Sequence, residues 1–296
     1  MRVLVTGASG FSGSAVARRL ARDGFDVVGT HRRETDFLGS LRGSRRLNLI
    51  RSDLTDAANL PGPFDAVVHA AATSPGPHIS VAELVHDNID ATFALIDAAR
   101  LWKTGRFVFF SSLSLHGRIA QDVVTEVTAV CDPDPYGASK LIAEQRLAEL
   151  GDELPALALR LPGIIGPGVH RHWLAGVAAR LREGEPVRAY HLDRPFNNAT
   201  HIDDISAFIA RLMVRDSWQG FDAAVLGAAG SMTVRETIER LARALGVAAD
   251  IEEIPPRKPS FTLSSAHAVA RYGYHPPEIG ALIDRYGLEL RCSCAR

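Results

Sequence analysis

The stretch Arg2-Val3-Leu4-Val5-Thr6-Gly7-Ala8-Ser9-Gly10-Phe11-Ser12-Gly13 decides the fold. Its first five residues are a β-rich run, and the run ends directly in Gly7-x-x-Gly10-x-x-Gly13. A helical pattern follows over Ser14–Asp23: Val16, Ala17 and Leu20 recur on one face while Arg18, Arg19 and Arg22 point elsewhere. In a strand–turn–helix unit of this kind the first glycine permits the tight turn. The second lets the backbone approach a pyrophosphate, and the third lets helix and strand pack closely. The free N–H groups and the dipole at the helix start then suit phosphate. An ordinary glycine-rich turn would show the same triplet, but its place between strand and helix favours a dinucleotide loop.

Outward from this unit the rhythm repeats. Strands are expected at 2–6, 26–29, 47–51, 66–69, 106–111 and 156–161, with helices at 14–23, 81–100 and 136–150 between them. Strands alternating with helices imply right-handed crossovers and a doubly wound parallel sheet, a Rossmann-like α/β fold. Beyond Leu161 the rhythm becomes irregular. Pro and Gly cluster at 161–168 and 255–259, and helical patterns return at 173–183, 203–214, 233–245 and 279–286. Residues 1–160 are therefore expected to form a dinucleotide-binding domain with later returning segments. Residues 161–296 are expected to form a smaller, mainly substrate-binding region with a frayed tail at 291–296.

The bulk numbers agree with an ordinary globular enzyme. The 33 Lys+Arg against 34 Asp+Glu leave a net charge of -1, which speaks against nucleic-acid or polybasic membrane partners. With 46% hydrophobic residues the 296-residue chain can bury a sizeable core, and three cysteines are too few for a disulfide scaffold. No apolar run reaches the roughly 20 residues of a membrane helix. The opening strand leaves no room for a targeting signal before it, so a cytoplasmic location is expected.

Two further clusters carry chemistry. The second strand runs out into His31-Arg32-Arg33, with no carboxylate before Glu34. An acidic residue there would bind the ribose 2′-hydroxyl of NAD, whereas an arginine accommodates the 2′-phosphate of NADP, so NADP(H) is favoured and NAD(H) remains possible. Tyr136 and Lys140 stand four apart, on one helical face. A phenol with a pKa near 10 is a poor base at neutral pH, and an adjacent ammonium should lower it. Tyr136 would then exchange a proton with a substrate oxygen while a nicotinamide moves hydride. The hydroxyl to hold that oxygen is sought at Ser111-Ser112.

With these residues in view the chain resembles the extended short-chain dehydrogenase/reductases, the sugar epimerase/dehydratase family, nearly end to end. Residues 6–13 look like its glycine loop, in which Gly7, Ser9, Gly10, Phe11 and Gly13 would meet the cofactor. Asp53 and Leu54 resemble its adenine-contacting pair, and Ala70, Ala71 and Ala72 the end of its fourth strand. Asn88 matches an asparagine of the following helix. Ser112, Tyr136 and Lys140 match the catalytic set, and Pro162 lies in a segment that would pass the nicotinamide. His201-Ile202-Asp203-Asp204 and Tyr272-Gly273-Tyr274-His275-Pro276 resemble two later elements. The resemblance further implies a homodimer pairing through the helices that hold Asn88 and Tyr136.

Departures from the family pattern narrow the chemistry. Its 4,6-dehydratases carry acidic residues directly after the catalytic Ser/Thr, where this chain has Leu113 and Ser114. Neither serves as acid or base at neutral pH, so elimination of water is not expected. What remains is hydride transfer at a keto/hydroxyl carbon. The reading is a ketoreductase acting on a nucleotide-linked deoxysugar, with a cofactor-retaining epimerase or a reductase of plainer hydroxy-carbonyl compounds as alternatives. Nucleotide-sugar members often place an Asn near the position of Gly163; Arg171, Arg188 and Arg194 are left here to hold a diphosphate. No metal site is expected, since His170-x-His172 has neither helical nor zinc-like spacing. Helix N-capping is the duty expected of Asp203 and Asp204.

Overall fold

The computed structural model describes residues 1–169, 172–215, 218–256 and 258–294. Seven strands form the central sheet: β1 (Arg2–Thr6), β2 (Asp26–His31), β3 (Leu47–Arg51), β4 (Ala66–His69), β5 (Arg106–Ser112), β6 (Ala156–Leu161) and β7 (Phe221–Val225). Their order is β7-β6-β5-β4-β1-β2-β3. β1 pairs in parallel with both β2 and β4, with Val5 opposite Gly29 on one side and Val68 on the other. The chain thus winds outward to β3 and returns to lay β4 on the other side of β1. That reversal opens a crevice at the carboxyl ends of β1 and β4, the usual ligand position in such sheets.

The chain divides into two compact units. The first comprises 1–117, 130–160 and 205–224; the second comprises 118–129, 161–204 and 225–296. In the first unit, Leu4, Val67, Phe107 and Phe109 of the sheet meet Leu95, Ile96 and Leu147 of the covering helices in one buried cluster. In the second, helices Trp173–Glu183, Val234–Leu245 and Ile279–Cys294 share a core that includes Val177, Leu181, Ile238, Leu241, Ile283 and Tyr286. Two helices start on reciprocal capping boxes, Ser80 with Glu83 and Thr233 with Glu236, each closing two orphan backbone groups.

The structure differs from the sequence reading at several edges. β2 continues to His31 and β5 to Ser112, so both functional strand ends sit one or two residues further on. β7 was not expected: Phe221-Asp222-Ala223-Ala224-Val225 carries two alanines and an aspartate, poor strand formers that tertiary pairing overrides. The last helix does not stop at residue 286 but runs to Cys294, so the frayed tail assigned to 291–296 is helical as far as the described residues go. Asp203 and Asp204 lie inside the first turn of helix Ile202–Val214, where both pair with Arg285 rather than cap it.

Candidate active site

The glycine loop takes the form its spacing implies. Gly7 has φ +73°, which any side chain would resist, and a Cβ there would come within 2.9 Å of the Ala71 backbone. A Cβ on Gly13 would lie 2.2 Å from the Gly7 carbonyl oxygen. Helix α1 (Phe11–Arg22) then begins at Gly10 with no side-chain cap and no acidic residue in its first turn. Its first N–H groups are therefore left for a ligand, and a diphosphate is the ligand that uncapped, dipole-positive helix ends fit.

A cavity of about 280 Å³ opens beside this loop. Of the residues expected to hold a dinucleotide, Gly7, Ser9, Gly10, His31, Arg32, Arg33, Asp53, Leu54, Ala70, Ala71 and Ala72 line it. Asp53 accepts from the Thr55 amide at 3.1 Å and its hydroxyl at 3.0 Å. Burial works against its charge, yet these bonds and Arg32 hold it below the ordinary carboxylate range. Gly13 is buried under the loop, and the Phe11 ring meets that of Phe37 edge-on at 6.2 Å. Pro162 belongs to the second unit.

Asn88 does something other than line the cavity. It is buried in a π-turn (His86–Asp90) between helices Val81–Val85 and Ala91–Leu101. Its Oδ1 accepts from the Thr73 amide at 2.7 Å, and its Nδ2 donates to the Thr73 carbonyl at 2.9 Å and to Ser139 Oγ at 3.3 Å. It therefore ties the loop after β4 to the helix that carries Tyr136. Such one-turn π-bulges recur at functional sites.

That helix, Pro135–Leu150, starts on Asp134, whose side chain accepts from the Gly137 amide at 2.7 Å, with Pro135 preset in its first turn. β5 delivers Ser112, whose Oγ accepts from the Ser114 amide at 3.2 Å and caps the turn Leu113–His116. Gly137 lets the two elements meet, because a Cβ there would fall 2.1 Å from the Ser114 carbonyl oxygen. Gly137→Ala is accordingly expected to push the helix start off the Ser112 turn and cut kcat at least about tenfold, a barrier increase of roughly 1.4 kcal/mol, with the dinucleotide Kd nearly unchanged. Steady-state kinetics beside cofactor titration checks it.

Tyr136 and Lys140 share one helical face, with the Lys140 Nζ 5.6 Å from the Tyr136 ring centre. The electrostatics depart from the sequence expectation. Lys140 is buried, and its Nζ donates to the Phe110 carbonyl at 2.9 Å. Burial pushes its pKa down to about 7, with the neighbouring Glu144 carboxylate opposing that shift. Burial, aided by Asp134, pushes the Tyr136 phenol up to about 12, against a hydrogen bond with Ser112. In this state the phenol is protonated, because burial and the Asp134 charge outweigh the hydrogen bond with Ser112.

Beneath the pair lies a network the sequence reading did not assemble. Glu144, buried one turn after Lys140, accepts from the Ser111 hydroxyl and holds Arg160 through Nε at 3.2 Å and Nη2 at 2.7 Å. The repeat Tyr136-x-x-x-Lys140-x-x-x-Glu144 was the available signal, since all three fall on one face. His69 completes the floor. Its Nδ1 lies 2.7 Å from Thr6 Oγ1 and its Nε2 2.8 Å from Thr92 Oγ1, and burial together with Lys140 holds it neutral with a pKa of about 3.

The second unit has its own cavity, of about 360 Å³, with Trp173, Tyr190, Phe196 and Phe261 among its walls and Arg188 and Lys258 at hand. Trp173 and Phe196 pack with ring centres 5.3 Å apart. Asn198 donates to the Phe261 carbonyl at 3.1 Å, while its buried Oδ1 has no partner among the described residues. Of the three arginines expected on a diphosphate, Arg188 lines the cavity but pairs with Glu252 at 2.8 Å. Arg194 pairs with Asp122 at 3.1 Å, and Arg171 lies outside the described residues. A Cβ on Gly163 would lie 1.6 Å from His172 Nε2, so the imidazole fills the space a side chain at 163 would use.

Residues 3–226 match the model of the NAD dependent epimerase/dehydratase family. The chain belongs to that family, and with it to the extended short-chain dehydrogenase/reductases, and it is an enzyme. It is 29% identical over 279 residues to a UDP-glucose 4-epimerase of Mycolicibacterium smegmatis, covering 87% of each chain. It is 33% identical over 196 residues to a 2-alkyl-3-oxoalkanoate reductase of Stenotrophomonas maltophilia, covering 62% of this chain and 57% of that one. Its fold superposes with a TM-score of 0.84 on a Bacillus cereus UDP-glucuronic acid 4-epimerase in complex with UDP-glucuronic acid and NAD, at 23% identity over 99% of this chain and 100% of the other.

Proposed function

We propose that this enzyme reduces a keto group on a nucleotide-linked sugar, reversibly, with a nicotinamide dinucleotide as hydride carrier. The observation that carries the reading is the arrangement of the half-buried Tyr136 with Ser112 as its hydrogen-bond partner and the Lys140 Nζ 5.6 Å from its ring centre. A phenol that starts protonated is arranged to give its proton to an oxygen that becomes negative. The bound dinucleotide would supply the hydride. Ser112 orients the carbonyl oxygen, Tyr136 protonates it, and Lys140 provides positive charge next to the phenol as its proton leaves. The uncapped start of α1 and the cavity beside it would hold the diphosphate and adenosine, with Gly7, Gly10 and Asp53 among the contacts.

The cations at Arg32 and Arg33 favour NADP(H), with NAD(H) also accepted. The aromatic walls of the second unit's cavity would receive the nucleotide base, and Lys258 and Arg188 its phosphates. We place the enzyme in the cytoplasm with its cofactor pool. A homodimer would form through the helices bearing Asn88 and Tyr136, where Val85 and Ile142 are exposed.

A second reading has two observations behind it. His172 covers Gly163, and Arg188 is already paired, which suits a free hydroxy-carbonyl substrate without a diphosphate. Thermal-shift titrations of the NADP-saturated enzyme with UDP, GDP and dTDP separate the two. A bound nucleotide at a hundredfold excess over its Kd adds about 2.7 kcal/mol to stability, so one of the three is expected to raise Tm clearly. Three flat titrations beside a clear shift from NADP would move the substrate to the second class.

A further inference from the structure

Arg32 and Arg33 stand side by side at the cavity rim, yet the structure uses them differently. Arg32 presents Nη1 and Nη2 to the two carboxylate oxygens of Asp87 at 2.5 and 2.6 Å, and its Nη1 lies 3.8 Å from Asp53 Oδ2. Asp87 is itself held from two more sides. Thr73 Oγ1 donates to its Oδ2 at 2.5 Å, and His86 Nδ1 lies 3.0 Å from its Oδ1. Its side chain is 13% exposed, and the Arg32 fork holds its carboxyl well below the usual range. Arg32, Asp53, Thr73 and Asp87 line the same cavity as Gly7 and Gly10, as does the exposed Arg33.

We infer that Asp87 sets how far this site discriminates NADP(H) from NAD(H), by holding the Arg32 guanidinium away from a 2′-phosphate. The inference rests on the dinucleotide reading above and deepens it. A guanidinium fork engages one planar oxyanion through both arms at a time. A 2′-phosphate reaching Arg32 has two routes. It can displace Asp87, which leaves a mostly buried carboxylate without its cation, or it can bind with Asp53 and Asp87 nearby and take their repulsion. NAD, with only a hydroxyl there, meets neither cost. The pair therefore tempers the preference that two adjacent arginines impose and keeps the site open to both dinucleotides. The carboxylate that a strand-end reading looks for directly after β2 arrives instead from 55 residues further along the chain.

Calorimetric Kd values for NAD and NADP test this on the wild type, Asp87→Asn, Arg32→Gln and the double variant. Asp87→Asn keeps the side-chain shape and an acceptor for Thr73. It is expected to tighten NADP about tenfold while leaving NAD within about twofold. In the Arg32→Gln background the same change should move the NADP/NAD ratio less than about threefold, because the freed fork is gone and only the relief of Asp87 repulsion remains. Arg32→Gln alone should weaken NADP less than about threefold, which holds the inference to account even if Asp87→Asn folds poorly. A wild type that binds both dinucleotides, with a ratio Asp87→Asn does not move, overturns this inference alone. So does a loss of NADP affinity above about tenfold in Arg32→Gln. A wild type that binds neither dinucleotide overturns this inference and the proposed function together.

Discussion

Tyr136→Phe is expected to lower kcat by about a thousandfold, roughly 4 kcal/mol of barrier, while the dinucleotide Kd changes little. The substitution deletes one oxygen and keeps the ring against which Lys140 packs. The hydrogen bond with Ser112 is lost, but Ser112 retains its place through the Ser114 amide. Neither Tyr136 nor Lys140 lines the cavity beside the glycine loop, so the adenosine half of the cofactor should not register the change. Two neighbouring groups are poorly placed to replace the phenol as donor: Lys140 is turned to the Phe110 carbonyl, and His69 is neutral with both ring nitrogens engaged by threonines. Steady-state kinetics with a cofactor titration on the same preparation decides the matter. Turnover within about tenfold of wild type would remove Tyr136 from the chemistry and leave the dinucleotide loop as the surviving part of the reading.

Why the sequence spoke clearly at some positions and not at others follows from how local the physics is. β1, the glycine triplet and the body of α1 are read from one continuous stretch, residues 2–22, because turn and close approach are set by neighbours in the chain. α1 starts at Phe11, three residues before the expected Ser14. β4 and β6 were legible to the residue, since strands buried in a parallel sheet are short apolar runs bounded by polar ones. The half-exposed edge strand β3 was also found, from Leu47, Leu49 and Ile50 set among polar residues. β7 was not, because its residues become a strand only through the pairing that β6 offers. The same divide runs through the site. Tyr136 and Lys140 are four apart and visible. The bond from Asp87 to Arg32, the clamp of Asn88 on Thr73 and the pairing of Arg160 with Glu144 join residues far apart in the chain. The protonation of Tyr136 depends on burial, which no spacing reports. A local rule, that a neighbouring lysine lowers a phenol's pKa, met a stronger tertiary one.

Glu144→Ala is expected to destabilise the first unit by about 3–5 kcal/mol, a drop in Tm on the order of 10 °C. The Glu144 and Arg160 side chains are 4% and 12% exposed, so water cannot replace the lost partner. The alanine would deprive the nearly buried Arg160 guanidinium of the Glu144 carboxylate and leave the Ser111 hydroxyl without that acceptor. Glu144→Gln separates charge from shape. The amide can still accept from Ser111, so most of the packing survives, but the negative charge next to Lys140 goes. Glu144 is the group that raises the Lys140 pKa against burial, so its neutralisation moves that pKa below about 7. The ammonium beside Tyr136 is then lost at lower pH, and the alkaline limb of kcat/KM should shift to lower pH in Glu144→Gln. An unchanged melting transition in Glu144→Ala would mean that the pair contributes no net stability. A limb that moved upward in Glu144→Gln would mean that Lys140 acts in its neutral form, and the charge assigned to it in proton transfer would have to be withdrawn.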